Sequence, residues 1–132
     1  MRVCILGCGR MGAKIASLMD ADGHEVTIID KNRDSFNRLK NFRGLIKYGN
    51  GLEISFLKKI GLDRMDVFIA TTNYDTRNIL GANIAKEFFA VPKVIARFYD
   101  QERADVFRNY GIEAICVTSV GSEMIRELIL EI

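Results

Sequence analysis

Short aliphatic runs alternate with longer amphipathic stretches from one end of the 132-residue chain to the other. Six runs are predicted strands, at Arg2–Leu6, Glu25–Ile29, Leu45–Lys47, Asp66–Ala70, Lys93–Arg97 and Glu113–Val117. A predicted helix follows each of them, at Met11–Ala21, Ser35–Asn41, Leu52–Ile60, Thr76–Phe89, Gln101–Asn109 and Gly121–Glu131. Because parallel neighbours need helical crossovers, this alternation predicts one parallel sheet with helices on both faces.

The composition is that of one globular domain. The apolar fraction of 48% can fill a core and the charged fraction of 27% keeps the surface polar, so we expect residues 1–132 to form a single domain. A net charge of +2 argues against a nucleic-acid-binding face. No apolar run reaches the roughly 20 residues that a membrane helix needs. The three cysteines and one histidine have no metal-site spacing, so we predict no metal and a reduced, cytoplasmic location.

A glycine-rich loop joins the first predicted strand to the first predicted helix. It reads Gly7-Cys8-Gly9-Arg10-Met11-Gly12, a GxGxxG string in the strand–loop–helix context that gives the string its meaning. In such loops the first glycine permits a tight turn, the second lets the backbone approach a pyrophosphate, and the third lets the helix pack closely on the sheet. The loop predicts an α/β Rossmann-type fold, a doubly wound six-stranded parallel sheet of order 3-2-1-4-5-6, with phosphate bound at the helix N-terminus.

An acidic residue follows the second predicted strand, where such folds hold the adenosine ribose. Asp30 lies 18 residues after Gly12, and its carboxylate can accept hydrogen bonds from a ribose diol. The Asp30 carboxylate would repel the 2′-phosphate of NADP. NADP is therefore disfavoured, although the positively charged Lys31 is adjacent in sequence. The alternative role for Asp30 is a helix N-cap. The pattern does not separate NAD(H) from ATP or ADP.

Two further features of the loop and the first helix carry expectations. Arg10 lies at the mouth of the loop, where its guanidinium could bind a terminal phosphate or remain an exposed helix-start side chain. Cys8 lies at a helix N-terminus, which lowers a thiol pKa. In the helix, Met11, Ile15, Leu18 and Met19 recur at helical spacing and are predicted to face the sheet.

The chain resembles the N-terminal lobe of regulator-of-potassium-conductance (RCK) domains, also called TrkA-N, of Trk and Ktr potassium transport systems. The stretches that carry the resemblance are Val3–Gly12, Tyr48–Gly51, Phe68–Asp75 with Asn78, Ile95–Arg97, Tyr99–Ala104 and Tyr110–Ile112. They span nearly the whole chain. We expect no C-terminal RCK lobe within these 132 residues.

The resemblance implies a non-enzymatic regulatory subunit that binds NAD(H) or ATP/ADP and gates ion transport. It implies a homodimer, or a ring of dimers, attached to a membrane potassium channel or transporter at the inner face of the membrane. The loop residues Gly7, Cys8, Gly9, Arg10, Met11 and Gly12 would hold phosphates; Asp30, with Lys31 beside it, would hold the ribose. Asn50 and Gly51 would lie over the adenine, Thr71 and Thr72 on the far side of the nucleotide, and Arg97 near a phosphate.

Each polar residue among these has a structural alternative. Asn50 is a natural turn residue, Thr71 and Thr72 could cap the following helix, and Arg97 could form a surface ion pair. For the whole chain the alternatives are a small NAD-dependent oxidoreductase and a nucleotide-binding module of another transporter. No catalytic pair at a plausible spacing favours the enzyme.

Overall fold

The computed structural model describes residues 1–132 and contains one six-stranded sheet. All neighbouring strands are parallel, and their order is β3-β2-β1-β4-β5-β6, as the sequence predicts. The strands are β1 (Arg2–Leu6), β2 (Glu25–Asp30), β3 (Leu45–Tyr48), β4 (Val67–Ala70), β5 (Lys93–Phe98) and β6 (Glu113–Cys116). The strand order reverses direction between β1 and β4, which opens a crevice at the carboxyl ends of these strands.

Five α-helices and shorter helical segments connect the strands. They are α1 (Arg10–Ala21), α2 (Ile54–Lys59), α3 (Asp75–Asn83), α4 (Gln101–Arg108) and α5 (Val117–Leu130). Two 3₁₀ segments cover Arg33–Arg38 and Leu62–Arg64, and a π-helical segment covers Ile84–Phe88. None of these helices is long and apolar enough to cross a membrane.

Two predicted helices differ in kind from the prediction. The segment after β2, predicted as a helix over Ser35–Asn41, is a 3₁₀ helix over Arg33–Arg38. It begins earlier than predicted because Asn32 caps it by accepting a hydrogen bond from the Asp34 amide. The predicted helix Thr76–Phe89 is α-helical only to Asn83 and then widens into the π-helical segment.

The core lies on both sides of the sheet, in clusters of 18 and 9 buried residues. Strand β4 is buried at every position, as expected for a central strand covered on both faces. Helix α1 packs through its small residues Gly12, Ala13 and Ala16. The predicted inward face was wrong at Leu18, which is 52% exposed, because close approach to the sheet requires small side chains there.

Helix α5 packs poorly on the rest of the subunit. It begins at Val117 rather than at the predicted Gly121, and none of its residues is buried. Its apolar side chains Met124, Ile125, Leu128 and Ile129 are each about 60% exposed. The helix therefore presents an apolar stripe to its surroundings.

Candidate nucleotide site

A cavity of about 810 Å³ lies at the carboxyl ends of the central strands. Leu6 ends β1, Ile29 and Asp30 end β2, and Thr71 and Thr72 follow β4; all five line it. The cavity thus occupies the crevice where the strand order reverses, and its volume suits a nucleotide-sized ligand.

The glycine loop forms one wall of this cavity through Gly7 and Gly9. Gly7 has φ +104°, a left-handed conformation that favours glycine, and its amide donates to the carbonyl of Ile29 at 2.8 Å. A Cβ atom at Gly12 would overlap the Gly7 carbonyl oxygen, whereas a Cβ atom at Gly9 would meet nothing within 4 Å. Gly12 is therefore needed for packing, and Gly9 faces open space that a phosphate could enter.

Asp30 joins the glycine loop to the end of β2. Its carboxylate accepts two backbone hydrogen bonds at 2.8 Å, from the amide of Cys8 to Oδ2 and from the amide of Asn32 to Oδ1. It is half-buried and lines the cavity. The residue that caps the 3₁₀ helix is Asn32, so the helix-cap alternative for Asp30 is wrong. Each carboxylate oxygen has a second lone pair that can accept from a ribose hydroxyl.

The turn after β3 forms another part of the cavity wall. Asn50 Oδ1 accepts from the amide of Leu52 at 3.0 Å, so this side chain forms the turn predicted as its alternative role while still lining the cavity. Gly51 is buried, and a Cβ atom there would overlap a methyl group of Leu6. Lys31 is exposed at the rim.

Thr71 and Thr72 line the opposite wall with their hydroxyls already bonded to protein. The Thr71 hydroxyl donates to the carbonyls of Leu6 and Gly7, at 3.2 Å each, and so ties β4 to the glycine loop. The Thr72 hydroxyl donates to Asn78 Oδ1 at 2.7 Å. Neither threonine is the N-cap of α3; that position is Tyr74, which makes no side-chain cap bond.

Four of the predicted loop residues do not line the cavity: Cys8, Arg10, Met11 and Gly12. Arg10 is exposed and makes no ion pair. Gly12 contributes by packing, and the Cys8 amide by holding Asp30.

Arg97 also lies outside the cavity lining and is engaged with neutral acceptors. Its Nη2 donates to the Thr72 carbonyl at 2.8 Å, to Asn73 Oδ1 at 3.2 Å and to the Tyr99 hydroxyl at 3.1 Å. Its buried Nε has no partner. The alternative of a surface ion pair is wrong, because no carboxylate contacts this guanidinium; Arg97 instead braces the ends of β4 and β5.

The environment of Cys8 reverses the expected shift of its thiol pKa. Burial, followed by the negative charge of Asp30, raises the pKa to about 11, and the smaller opposing effect of Arg38 does not offset them. The Sγ donates to the Ser35 carbonyl at 3.4 Å. Cys8 is thus a protonated, structural thiol at neutral pH.

The sequence analysis named Asn78 only as part of the family resemblance and gave it no role, yet this residue organises the far wall. Asn78 is fully buried, and its amide makes four hydrogen bonds: Oδ1 accepts from the Thr72 amide and hydroxyl, and Nδ2 donates to the carbonyls of Thr72 and Arg97. An asparagine inside a predicted helix, where it is a poor helix former, was the available signal. Arg38, Tyr74 and Arg77 also line the cavity and carried no signal in the spacing.

The structure brings no three histidine, cysteine, aspartate or glutamate residues together in a geometry that could hold a metal ion.

Comparison with sequence families identifies relatives across most of the chain. The model of the TrkA-N domain matches residues 3–118. The Trk system potassium uptake protein TrkA of Streptomyces coelicolor is 36% identical over 131 residues, covering 98% of this chain and 59% of that protein. The TrkA homolog of Methanothermobacter thermautotrophicus is 34% identical over 117 residues, covering 87% of this chain and 53% of that protein. The chain therefore spans somewhat more than half the length of these relatives.

Solved structures share the same fold. The TrkA-N domain of the inner membrane protein ybaL from Escherichia coli has a TM-score of 0.85 at 16% identity, covering 96% of this chain and 95% of its own. The GsuK channel bound to NAD and GsuK bound to ADP each have a TM-score of 0.81 at 24% identity. Each covers 96% of this chain; the match covers 23% of the NAD-bound chain and 33% of the ADP-bound chain. The AMP-bound Kef CTD of Shewanella denitrificans has a TM-score of 0.78 at 19% identity, covering 98% of this chain and 81% of its own.

These findings also decide between the classes of protein considered above. TrkA-N and RCK domains are regulatory domains without catalytic activity, which sets aside the small oxidoreductase. The family model covers most of this chain, and the relatives found by sequence are TrkA proteins. The protein belongs to the TrkA-N domain family.

Proposed function

We propose that this chain is the nucleotide-sensing domain of a potassium transport system, and that it binds NAD(H) or ATP/ADP in the cavity at the carboxyl ends of β1, β2 and β4. One observation carries the proposal: the carboxylate of Asp30 and the open face of Gly9 border the same cavity. A carboxylate acceptor for a ribose next to a backbone approach for a phosphate is the pairing that nucleotide recognition needs.

The relatives support both halves of the proposal. The curated relatives are potassium uptake proteins, and the structural neighbours include proteins bound to NAD, ADP and AMP. In this account Gly7 and Gly9 approach the phosphates, Asp30 binds the ribose, and Asn50 and Gly51 border the adenine. Binding of one nucleotide in place of another would change the state of a membrane channel or transporter to which the domain is attached at the cytoplasmic face.

Asp30→Ala should weaken binding of ADP and of NAD by about 2 kcal/mol, close to 30-fold, because hydrogen bonds from both ribose hydroxyls to a charged acceptor are lost. Isothermal titration calorimetry measures the change. Asp34→Ala is the matched control, since Asp34 is a second carboxylate on the cavity wall that accepts no hydrogen bond in the structure. If Asp30→Ala binds ADP and NAD as tightly as Asp34→Ala does, the assignment of Asp30 to the ribose is contradicted.

We further propose that the domain is a two-fold symmetric homodimer, or a ring built from dimers, with α5 in the shared interface. Each of the apolar side chains Met124, Ile125, Leu128 and Ile129 on this helix is about 60% exposed. A contiguous apolar stripe of this kind is rarely left in water on a soluble subunit. The exposure of the helix argues against the alternative, that it packs on its own sheet, since none of its residues is buried.

Replacing Leu128 and Ile129 with glutamate should convert a wild-type dimer into a folded monomer, because charged side chains oppose burial between subunits but disturb nothing inside one. Light scattering at tens of micromolar chain reports the mass, and circular dichroism reports the fold. The control variant exchanges the two residues of an exposed ion pair on the same helix, Glu123→Arg with Arg126→Glu, and should stay dimeric. In the wild type Glu123 Oε2 and Arg126 Nη2 are 2.8 Å apart. A wild-type monomer at this concentration would refute the interface.

A further inference from the structure

The cavity extends beyond the glycine loop to the beginning of α3. Thr72, Asn73, Tyr74 and Arg77 line this end, opposite the wall formed by Asp30 and Lys31. A nucleotide with its ribose at Asp30 and its first phosphate at Gly9 would direct its remaining atoms toward this wall. What this end of the cavity recognises therefore decides which nucleotides the site prefers.

Arg77 is a positively charged side chain at this end that no acidic residue neutralises. Its guanidinium lies over the ring of Tyr74, 4.6 Å from the ring centroid. No carboxylate lies within 4.0 Å of it, and it donates no side-chain hydrogen bond to the protein. The stacking on Tyr74 holds the guanidinium in place while leaving its N–H donors free for a ligand.

The other arginines near the nucleotide path are less suited to bind a terminal phosphate. Arg97 already donates to three acceptors of the protein and does not line the cavity. Arg10 is exposed and also lies outside the lining. Arg38 does line the cavity, but on the Asp30 side, where its Nη1 donates to the Cys8 carbonyl at 3.4 Å.

The acidic residue nearest in sequence does not compete for Arg77. Asp75 is buried at the start of α3, but its carboxylate accepts from the amides of Tyr99 and Asp100, at 2.9 and 3.4 Å, and lies 3.8 Å from Arg103. Asp75 does not line the cavity. The far end of the cavity therefore presents one uncompensated positive charge on a rigid base, because Thr72 and Tyr74 are tied to Asn78 through the Thr72 hydroxyl.

We propose that Arg77, held over Tyr74, binds the terminal phosphate of a nucleoside di- or triphosphate and so selects ADP and ATP over NAD at this site. The inference rests on the proposed nucleotide-binding function. In ADP and ATP a phosphate anion follows the first phosphate, and a guanidinium binds such a group through paired N–H donors. NAD also has a second phosphate, but it is a diester with fewer free oxygens and less negative charge than a terminal phosphate. It continues into a nicotinamide riboside whose oxidised ring is positively charged, so NAD gains little from a nearby guanidinium.

Calorimetric titration of wild type and Arg77→Gln with AMP, ADP, ATP and NAD tests this assignment. Glutamine keeps a polar side chain of good helix propensity, and thermal unfolding checks that the variant is folded. We expect ADP and ATP to bind about tenfold more weakly, which corresponds to loss of one charge-assisted contact. AMP affinity should change by less than about twofold, and NAD affinity should be unchanged or higher. Tyr74→Leu should lower the ADP and ATP affinities in the same pattern.

Arg10→Gln is the matched control, because Arg10 is an exposed arginine at the start of α1 that does not line the cavity. Loss of ATP affinity with Arg10→Gln but not with Arg77→Gln would overturn the inference and assign the terminal phosphate to Arg10. An equal loss for AMP, ADP and NAD with Arg77→Gln would also overturn it. In either of these outcomes the wild type still binds AMP, so the proposed nucleotide-binding function stands. A folded wild type that binds none of the four nucleotides would instead contradict the proposed function itself.

Discussion

Gly12→Ala should lower the free energy of unfolding by about 3 kcal/mol, at the upper end of the usual cost of overpacking, and should abolish ADP binding. The added Cβ atom would overlap the carbonyl oxygen of Gly7 and lie 2.8 Å from the Thr71 hydroxyl oxygen. Both groups belong to the junction of β1, the glycine loop and β4. The Gly7 carbonyl is a backbone group and cannot rotate away from the added methyl group as a side chain can. Urea denaturation followed by circular dichroism measures the loss of stability.

Gly9→Ala provides the control because it adds the same methyl group to the same loop. A Cβ atom at Gly9 would meet nothing within 4 Å, so the free energy of unfolding should stay within about 0.5 kcal/mol of wild type. ADP affinity should nonetheless fall at least tenfold by calorimetry, since the methyl group fills the space through which a phosphate approaches the backbone. A Gly9→Ala protein that binds ADP as wild type does would place the phosphate elsewhere.

Asn78→Ala should lower the free energy of unfolding by about 3 kcal/mol, because it leaves several buried polar groups without partners. The amide of Asn78 uses both its donor hydrogens and two acceptor positions, in bonds of 2.7 to 3.1 Å to Thr72 and Arg97. Truncation would leave the amide of Thr72 and the carbonyl of Arg97 without the Asn78 side chain, and it would remove one of the two donors to the Thr72 carbonyl, whose other donor is Arg97 Nη2. Urea denaturation again gives the measurement.

Two companion variants sharpen this second test. Thr76→Ala removes an exposed side chain from the same helix and should change stability by less than about 0.5 kcal/mol. Asn78→Asp keeps the shape but replaces the two donor hydrogens with a carboxylate oxygen facing two carbonyl oxygens, so at pH 7 it should be at least as destabilising as alanine. A cost below about 1 kcal/mol for Asn78→Ala would contradict the role assigned to this residue.

The fold followed from the sequence because its signals are local and repeated. Each strand is a short aliphatic run, and each crossover is an amphipathic stretch, so order and direction could be predicted for the whole sheet. The errors arose where the local pattern does not determine geometry. The last strand was predicted to extend to Val117 and the last helix to begin at Gly121, yet this exposed helix begins at Val117. Leu18 fits the helical spacing but lies on the side away from the sheet.

The candidate site was predictable in its backbone and less so in its side chains. Gly7, Gly9 and Asp30 line the cavity as predicted, because their location follows from their positions along a strand–loop–helix unit. Arg97 lies at the predicted strand end but donates to oxygen atoms of Thr72, Asn73 and Tyr99, because a side chain's direction depends on neighbours that spacing does not reveal. Arg77 could not be found for the same reason: it is one of 19 basic residues, and only the cavity distinguishes it.

Backbone amide NMR during titration with ADP tests the central claim most directly, because it locates the ligand as well as detecting it. We predict that the largest shift changes occur at Cys8, Gly9, Asn32 and Gly51, around the cavity at the carboxyl ends of the strands. A second cavity lies near Arg43 and Arg64, at the opposite ends of the strands. Changes confined to that second cavity, or no change at millimolar ADP, would contradict the account.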